Sequence, residues 1–257
     1  MFSKVSAVVN VFNAESFITH KMKSLLSQTI NKNQRLEIIL VTVPSTDDTL
    51  EMVRHYATIA GNVVKPVYLP HRVGVYHAWN IGIQVATGDY IVNSNVDDPL
   101  LPDAYETMAN ELDRGADVVY GNWWATTSKN PTVDDWEPYL LQPNDYPLGQ
   151  SHYGNHLPSP ARLADVCHWS CGVMWRKVLH QKVGWFDPSF SICGDYDMWC
   201  RMMLSGAKVV ALPKTLGWFY FSPDQTNVSF ANGDQFSNEV RRVRGMWGDK
   251  LREMDDE

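Results

Sequence analysis

The chain has 257 residues and a formal net charge of −7, with 44% hydrophobic and 20% charged residues. This length suits one large α/β domain or two small ones. The acidic balance excludes a global basic field for a nucleic-acid backbone, so nucleic acid is not an expected partner. No apolar run approaches the roughly 18 residues that a membrane-spanning helix needs, which predicts a chain without a transmembrane segment.

The first 125 residues alternate between short β-branched runs and segments with helical spacing of apolar residues. Strands are predicted at Val5–Val11, Leu36–Val43, Val63–Leu69, Asp89–Asn93 and Asp117–Tyr120. Helices are predicted at Ser16–Thr29, Asp48–Ala60, Val75–Ala86 and around Met108–Ala116. Strands that alternate with helices of 10–15 residues favour an α/β fold with a mostly parallel, doubly wound (Rossmann-like) sheet flanked by helices.

The pattern changes from Thr126 to Asp165, a stretch rich in Pro, Asn, Tyr and Trp without sustained periodicity. A long irregular segment inside one domain is typical of a functional loop. Periodicity returns at Gly172–Val183 and at Asp195–Leu204, and strands are expected at Ala207–Leu212 and Leu216–Phe221.

The chain ends in a predicted helix from about Asn238, which carries five basic residues. A solvated helix face is the main interpretation, and a membrane-surface helix is the alternative. The four cysteines contain no CxxC pair, which favours reduced thiols. We expect a cytoplasmic location, with peripheral attachment to a membrane left open.

Two adjacent carboxylates, Asp97 and Asp98, follow the apolar run Tyr90–Val92 at the point where a strand should end. In an open α/β sheet, ligands bind beyond the carboxyl ends of the strands. Neighbouring carboxylates repel unless a cation lies between them, and hard divalent cations prefer oxygen ligands. The pair therefore predicts a site for Mn²⁺ or Mg²⁺ carrying a diphosphate, with a solvated turn as the alternative.

Four blocks of sequence, in this order, resemble family 2 glycosyltransferases, which are inverting enzymes with a GT-A fold. The blocks are VSAVVNVFNAESFI, EIILVTVPSTDDT, RVGVYHAWNIGIQVATGDYIVNSNVDD and GWFDPSFSICGDYDMWCRMMLSG. The resemblance covers residues 4–221. It implies a single GT-A-like domain, with a donor-binding half at 1–125 and an acceptor-binding half at 126–257 that holds the long acceptor-side loop, the catalytic base and the last helix.

The resemblance also implies roles for individual residues. The catalytic base is Asp195, and the metal ligands are Asp97 and Asp98. The donor nucleotide is expected to contact Phe12, Asn13, Glu15, Ser45, Asp47, Arg72, Gly74, Asn80, Asn95 and Val96. Apart from the resemblance, aromatic faces suit sugar rings, so the acceptor is expected to contact Trp123 and Trp169, together with Gly172 and Gly194. For each tryptophan, an aromatic core that holds the long loop is the alternative interpretation. For Asp47, a helix N-cap is the alternative interpretation.

Three positions depart from the family pattern. Asn95 replaces the first Asp of the DxD-like element, Thr42 replaces an Asp that contacts uracil in many members, and Gly194 replaces the Glu before the base. An amide at position 95 brings no charge, although it can still form hydrogen bonds. Thr42 weakens the specific expectation of uridine.

The resulting prediction is a metal-dependent inverting glycosyltransferase of polysaccharide biosynthesis. It would move a sugar from a nucleotide-diphosphate sugar, with a UDP-sugar as the first candidate, to a hydroxyl of a glycan or related acceptor. Two alternatives are a sugar-phosphate nucleotidyltransferase and a non-catalytic sugar-binding module with the same fold. Release of free nucleoside diphosphate from nucleotide sugars separates the transferase from the binding module.

Overall fold

The computed structural model describes residues 3–130, 157–169, 172–220, 222 and 232–255. The strands of this part of the chain form one seven-stranded sheet. They are β1 (Val5–Val11), β2 (Leu36–Thr42), β3 (Val64–Tyr68), β4 (Tyr90–Asn93), β5 (Val118–Thr126), β6 (Met174–Arg176) and β7 (Val209–Tyr220).

Helices connect most of the strands. They are α1 (Glu15–Leu26), α2 (Thr49–Ile59), α3 (Val75–Val85), α4 (Ala104–Asp113), α5 (Pro160–Asp165), α6 (His180–Val183), α7 (Gly194–Leu204) and α8 (Gly233–Asp255). Short 3₁₀ helices occupy Thr29–Asn33 and Lys177–Leu179. Among the described helices, none combines the length and apolar character that crossing a membrane requires.

The strand order is β3-β2-β1-β4-β6-β5-β7. β1, β2, β3 and β4 pair in parallel, as do β5 and β7, whereas β6 is antiparallel to both of its neighbours. The chain therefore builds the sheet outward from β1 in one direction and then from β4 in the other. This confirms the predicted doubly wound, mostly parallel sheet, and it puts a topological switch point at β1 and β4.

Two segments differ from the sequence-based prediction. Gly172–Val183 contains a three-residue antiparallel strand followed by helical turns, and so short a strand carries no readable period. The two expected strands near the end are a single strand, β7, whose register against β5 shifts around Gly121 and Asn122. Pro213 lies in the skipped part, where an irregularity accommodates a residue that cannot donate to a ladder.

The sheet is buried on both faces. β1 and β2 are buried along almost their whole length, because helices and loops cover each side with a separate apolar cluster. The sheet also continues through residue 125, since β5 ends at Thr126 and pairs with β6 and β7 of the second half. The predicted donor and acceptor halves thus share one sheet.

One carboxylate lies inside this core near the amino end of β2. Glu37 is 1% exposed and accepts hydrogen bonds from Ser6, Lys4, Lys65 and the Thr87–Gly88 segment. Burial acts to raise the pKa of Glu37, but these donors outweigh it and hold the pKa far below its ordinary value. Its charge is therefore fully compensated inside the protein.

Candidate active site

The predicted donor residues gather at the carboxyl edge of the sheet. β1, β2 and β4 run parallel and end at Val11, Thr42 and Asn93. The loops that follow them therefore start from the same edge, on both sides of the switch point. Thr42 itself is buried, and its hydroxyl donates to the Leu40 carbonyl of its own strand.

The loops after β1 and β2 are bonded to each other. The Asn13 backbone N–H donates to Ser45 Oγ at 3.1 Å, and the Thr46 N–H donates to Asn13 Oδ1 at 3.0 Å. Asn13 has a φ of 45°, a left-handed conformation that Asn tolerates better than most residues. The structure brings these predicted donor residues together and uses their side chains to fix the two loops.

Asp47 joins the same two loops. Its Oδ2 accepts from the Glu15 N–H at 3.1 Å, and its Oδ1 accepts from the Thr49 N–H at the start of α2, also at 3.1 Å. Glu15 Oε2 in turn accepts from the Asp48 N–H at 3.4 Å. The N-cap of α2 is Asp48, one residue after the expected position, although the Asp47 side chain accepts the N–H of the first helical residue. Contact of Asp47 or Glu15 with a nucleotide stays a prediction.

Arg72 and Phe12 form a stacked pair at this edge. The Arg72 guanidinium carbon lies 4.2 Å from the centre of the Phe12 ring, a cation–π contact between two separate loops. Arg72 is otherwise exposed, and Gly74 two residues later is the N-cap of α3. The pair offers an aromatic ring and an ordered cation, which suit a base and a phosphate.

Asn80 is occupied by a structural partner. Its Nδ2 donates to the Phe186 carbonyl at 2.8 Å, and its Oδ1 accepts from the Phe186 N–H at 3.0 Å. The side-chain amide thus fixes α3 to the segment that leads into α7. These two hydrogen bonds account for a polar residue at this position of α3. Contact of Asn80 with the sugar-nucleotide donor stays a prediction.

Asp98 is bonded within the protein, and its assignment as a metal ligand stays a prediction. It is 2% exposed, and its oxygens accept from the Tyr220 N–H at 2.9 Å and from Asn95 Nδ2 at 2.8 Å. The buried Lys21 of α1 donates to the Asp98 carbonyl at 2.5 Å. Burial and these two hydrogen bonds argue against direct metal contact, and they place Asn95 in a supporting role for Asp98.

Asp97 differs from its neighbour. It is half-buried together with Val96, and no other described residue donates a hydrogen bond to its carboxylate. Burial raises the pKa of Asp97. Burial and the adjacent Asp97 charge raise the pKa of Asp98 to about 7. A cation at this position would relieve the repulsion between the two groups.

The donor set fits a weakly protein-bound divalent cation. Within the described ranges, no group of three His, Cys, Asp or Glu side chains is arranged to hold a metal ion. Mg²⁺ and similar cations keep several waters and bind through one or two carboxylates plus substrate phosphates. Asp97 is the carboxylate that can serve in this way, so the residues present fit a cation that arrives with a diphosphate.

Asp195 lies in the first turn of α7 and beside α3. Its Oδ1 accepts from the Tyr196 N–H at 2.8 Å and lies 3.3 Å from the Tyr76 hydroxyl. The same hydroxyl lies 2.5 Å from the Ile192 carbonyl, so its one proton can be donated to either acceptor. Burial raises the pKa of Asp195 to about 6, the range in which a carboxylate is an efficient base near neutral pH.

Tyr76 was missed by the sequence analysis, and it explains Gly194. A Cβ atom on Gly194 would lie 2.7 Å from Cδ2 of the Tyr76 ring, which is closer than real contacts allow. The tyrosine ring fills the space that a side chain at position 194 would need. A signal was present, because Tyr76 lies four residues before Asn80 and therefore on the same face of α3.

Asp197, two residues after Asp195, serves the structure instead. It is buried, pairs with Arg201 at 2.6 Å and accepts from Trp247 Nε1 at 2.8 Å. Arg201 also donates to the carbonyls of Val183 and Trp185. The two neighbouring aspartates therefore have different environments, as their positions on a helix predict.

The two tryptophans predicted to contact the acceptor are buried in the core, as the alternative interpretation expects, and their contact with an acceptor stays a prediction. Trp123 is 4% exposed and lies against Gly172, where an added Cβ would come within 2.3 Å of the indole. Trp169 is 1% exposed and stacks on Tyr120 with ring centres 5.3 Å apart. Neither ring has a face available to a sugar. Residues 131–156, most of the predicted acceptor loop, lie outside the described residues.

The sequence profile described as "Glycosyl transferase family 2" matches residues 6–180. This chain belongs to that family. It is 32% identical over 125 residues to the glycosyltransferase GlyG of Streptococcus pneumoniae, covering 48% of this chain and 40% of GlyG. It is 26% identical over 200 residues to the uncharacterized glycosyltransferase RP339 of Rickettsia prowazekii, covering 77% of this chain and 58% of RP339. The family member described here thus spans about half the length of these relatives.

Solved structures share the fold at low identity. TarS of S. aureus superposes with a TM-score of 0.68 at 18% identity, over 95% of this chain and 39% of TarS. Its fragment 1–349 was solved with UDP and has a TM-score of 0.65 at 19% identity, over 95% of this chain and 64% of the fragment. The mannosyltransferase PcManGT of Pyrobaculum calidifontis was solved with GDP-Man and Mn²⁺. It has a TM-score of 0.63 at 16% identity, over 94% of this chain and 65% of PcManGT. These neighbours confirm the predicted GT-A-like fold.

Proposed function

We propose that this family 2 glycosyltransferase transfers a sugar from a nucleoside-diphosphate sugar to an acceptor hydroxyl and inverts the anomeric configuration. The observation that carries the proposal is Asp195, a half-buried carboxylate at the start of α7, beside Tyr76 of α3, whose pKa is raised to about 6. A carboxylate whose pKa is raised by burial beside a ligand-binding edge is a candidate for catalysis. Its contact with Tyr76 puts it beside the first turn of α3, which begins after the donor-side loop of Arg72.

The donor would lie along the carboxyl edge of the sheet. The Phe12 ring and the Arg72 guanidinium provide a platform and a positive charge, while Asn13, Ser45 and Asp47 hold the loops in place. Solved structures of similar fold contain UDP or GDP-Man, which supports a nucleoside diphosphate without selecting the base. The Thr42 hydroxyl donates within its own strand, so its side chain does not point to uracil in particular.

Asp97 would hold the divalent cation of the donor complex, Mn²⁺ or Mg²⁺. When bound, such a cation neutralises the charge that develops on a departing diphosphate. The structural neighbour PcManGT contains Mn²⁺ together with its donor, which supports this assignment. Asp98 and Asn95 would act indirectly, because their hydrogen bonds fix the loop on which Asp97 lies.

Asp195 would accept the proton of the acceptor hydroxyl. With a pKa of about 6, the carboxylate is ionised at neutral pH and still basic enough to accept a proton in the transition state. The deprotonating oxygen then attacks the anomeric carbon from the side opposite the diphosphate, which inverts the configuration. The acceptor is a carbohydrate or a related glycoconjugate with a free hydroxyl.

The test is turnover with a panel of UDP- and GDP-sugars, with and without Mn²⁺, in the presence of candidate glycan acceptors. We expect release of nucleoside diphosphate, and we expect proton NMR of the first-formed product to show the inverted anomer. Release of pyrophosphate from a sugar phosphate and a nucleoside triphosphate would instead establish a nucleotidyltransferase. Tight donor binding without any product would establish a binding module.

A further inference from the structure

The turn that precedes the base is held by a carboxylate from the last helix. Glu239 of α8 accepts from the Ser191 N–H at 3.0 Å, the Ile192 N–H at 2.9 Å and the Cys193 N–H at 2.8 Å. It is 8% exposed. Burial acts to raise its pKa, but the three backbone donors and Gln235 outweigh this and hold the pKa below its ordinary value. Glu239 is therefore ionised over the working pH range.

Tyr76 binds the same turn from the opposite side. Its hydroxyl lies within hydrogen-bond distance of the Ile192 carbonyl and of the Asp195 carboxylate, and its ring packs against Gly194. The turn of residues 191–193 is thus bonded to α8 through its N–H groups and to α3 through a carbonyl. Asp195 lies two residues after this turn, so the hydrogen bonds that fix the turn also fix the position of the base.

Glu239 is not needed to attach α8 to the rest of the protein. Val243 and Leu251 are fully buried, and Trp247 donates to Asp197. Arg242 donates to Asp187 and Ser189 and lies 4.0 Å above the Phe190 ring. These contacts dock the helix at other points, whereas Glu239 bonds, apart from Gln235 on its own helix, to the turn before the base.

We propose that Glu239 is a positioning residue for Asp195, because its carboxylate fixes the backbone turn from which the base projects. The proposal rests on the proposed function of Asp195 as the base. Catalytic groups must be held within about 0.5 Å of their productive geometry, and a misplacement of 1 Å costs on the order of 10²-fold in rate. Three charge-assisted hydrogen bonds from one rigid helix meet this need.

Glu239 also influences the proton affinity of the base. Among the described residues, the titratable groups that interact with Asp195 include Tyr76 of α3, Cys193 of the turn, Cys167 of the segment before β6, and Glu239 of α8. Burial is the largest cause of the raised Asp195 pKa, and the Glu239 charge raises it further. Loss of that charge and hydration of a loosened turn both act to lower the pKa of Asp195.

The test compares Glu239→Gln with Arg242→Ala, a matched variant one turn along the helix that also removes a contact to the segment before α7. In Glu239→Gln we expect kcat to fall about 10- to 100-fold with the donor KM within about threefold of wild type. The acid limb of the pH profile should move to lower pH. Arg242→Ala should retain kcat and the profile, and Glu239→Asp should recover part of the loss.

Two measurements decide the proposal without a substrate. Amide exchange at residues 191–193 should accelerate at least about tenfold in Glu239→Gln and remain slow in Arg242→Ala. A carbon-13 titration of the Asp195 carboxyl, assigned with Asp195→Asn, should move to lower pH in Glu239→Gln alone. Unchanged exchange and an unchanged titration would overturn the proposal, as would an equal kcat loss in Arg242→Ala. Absence of turnover in the wild type would overturn the proposed function, while these two measurements would still decide the role of Glu239.

Discussion

The pKa values of carboxylates are shifted in opposite directions at the two edges of the sheet. At the amino edge, Glu37 accepts hydrogen bonds from two lysines, two hydroxyls and backbone N–H groups, and its pKa lies far below the ordinary value. At the carboxyl edge, burial raises the pKa of Asp97, and burial with the adjacent Asp97 charge raises the pKa of Asp98. The pKa of Asp195, which lies beside α3, is also raised.

This difference separates a charge that stabilises the fold from charges that remain available to a ligand. The negative charge of Glu37 is compensated by donors within the protein, so the carboxylate does not need a cation or proton from a ligand. Asp97 and Asp195 have fewer donors among the described residues, so a cation or a proton would complete the compensation of their charges. Groups whose pKa is shifted by burial in this way are candidates for chemistry, whereas fully satisfied groups are candidates for stability.

The largest effect is expected at Asp195. Asp195→Asn keeps the size of the side chain but cannot accept a proton, so turnover should fall at least about 10²-fold, while donor affinity stays within a few fold. In the wild type, kcat/KM should decline as pH falls through about 6, because protonation removes the base. Steady-state kinetics and donor calorimetry test both points.

Asp187→Asn is the matched control for this change, since Asp187 lies on the same segment but pairs with Arg242. Its turnover should remain near that of the wild type. Near-normal turnover in Asp195→Asn would instead remove the basis for the inverting mechanism.

Asp97→Asn should weaken Mn²⁺-dependent binding of a nucleoside diphosphate by at least about tenfold, because the cation loses its carboxylate ligand. Isothermal titration calorimetry with UDP and GDP, with and without Mn²⁺, measures the effect. Asp103→Asn, which changes an exposed partner of Lys214, is the control and should bind as the wild type does. Equal affinity of Asp97→Asn and wild type in Mn²⁺ would exclude the assignment.

Glu37→Gln should reduce stability by about 2–4 kcal/mol without changing donor affinity, because buried lysine and backbone donors lose their charged acceptor. The wild-type contribution is present above the ordinary Glu pKa of 4.5 and is lost as pH falls toward the depressed folded value. The difference between the two proteins should therefore shrink below about pH 4.5. Urea unfolding at several pH values tests this, with exposed Glu51→Gln as control; a constant difference would contradict it.

Asp98→Asn should have the smallest effect on stability. It should stabilise the protein, whereas Glu37→Gln should destabilise it. Between the ordinary pKa of 3.8 and the folded value of about 7, the folded wild type keeps a proton that the unfolded chain releases. Wild-type stability therefore declines as pH rises through this window, and the amide removes that decline. We expect a gain of about 1 kcal/mol at pH 8 and none at pH 4, measured by thermal unfolding. A loss at pH 8 would show that the Tyr220 hydrogen bond needs the charge.

The long parallel part of the fold could be predicted from the sequence. β1, β2 and the helices α2 and α3 have strong periodic or continuous apolar patterns, and the structure has them within a few residues of the expected bounds. β6 could not be predicted, because three residues carry no period and its position depends on pairing with β4 and β5. The continuity of β7 could not be predicted because Pro213 is typical of a strand end. In the structure Pro213 lies where the register of β7 against β5 shifts, and the strand continues past it.

For the candidate site, residue type alone does not tell which side chains are already hydrogen-bonded or buried within the protein. Asn80 and Asp98 match motif positions, yet their polar atoms bond to Phe186, Tyr220 and Asn95. Trp123 and Trp169 are aromatic residues near the site in sequence, but their rings fill the core. Glu239 carries no local signal for its link to the base, since its partners in the turn before α7 are 46 to 48 residues away.

The close packing of Tyr76 against Gly194 has a consequence for how this protein can change. A side chain cannot be introduced at position 194 while the tyrosine ring remains, because the added Cβ would overlap it. Removing the ring alone would leave a cavity and would free the Ile192 carbonyl and the Asp195 carboxylate. The two positions therefore form an epistatic pair, and a lineage or an engineer that restores the family glutamate must alter both in the same step.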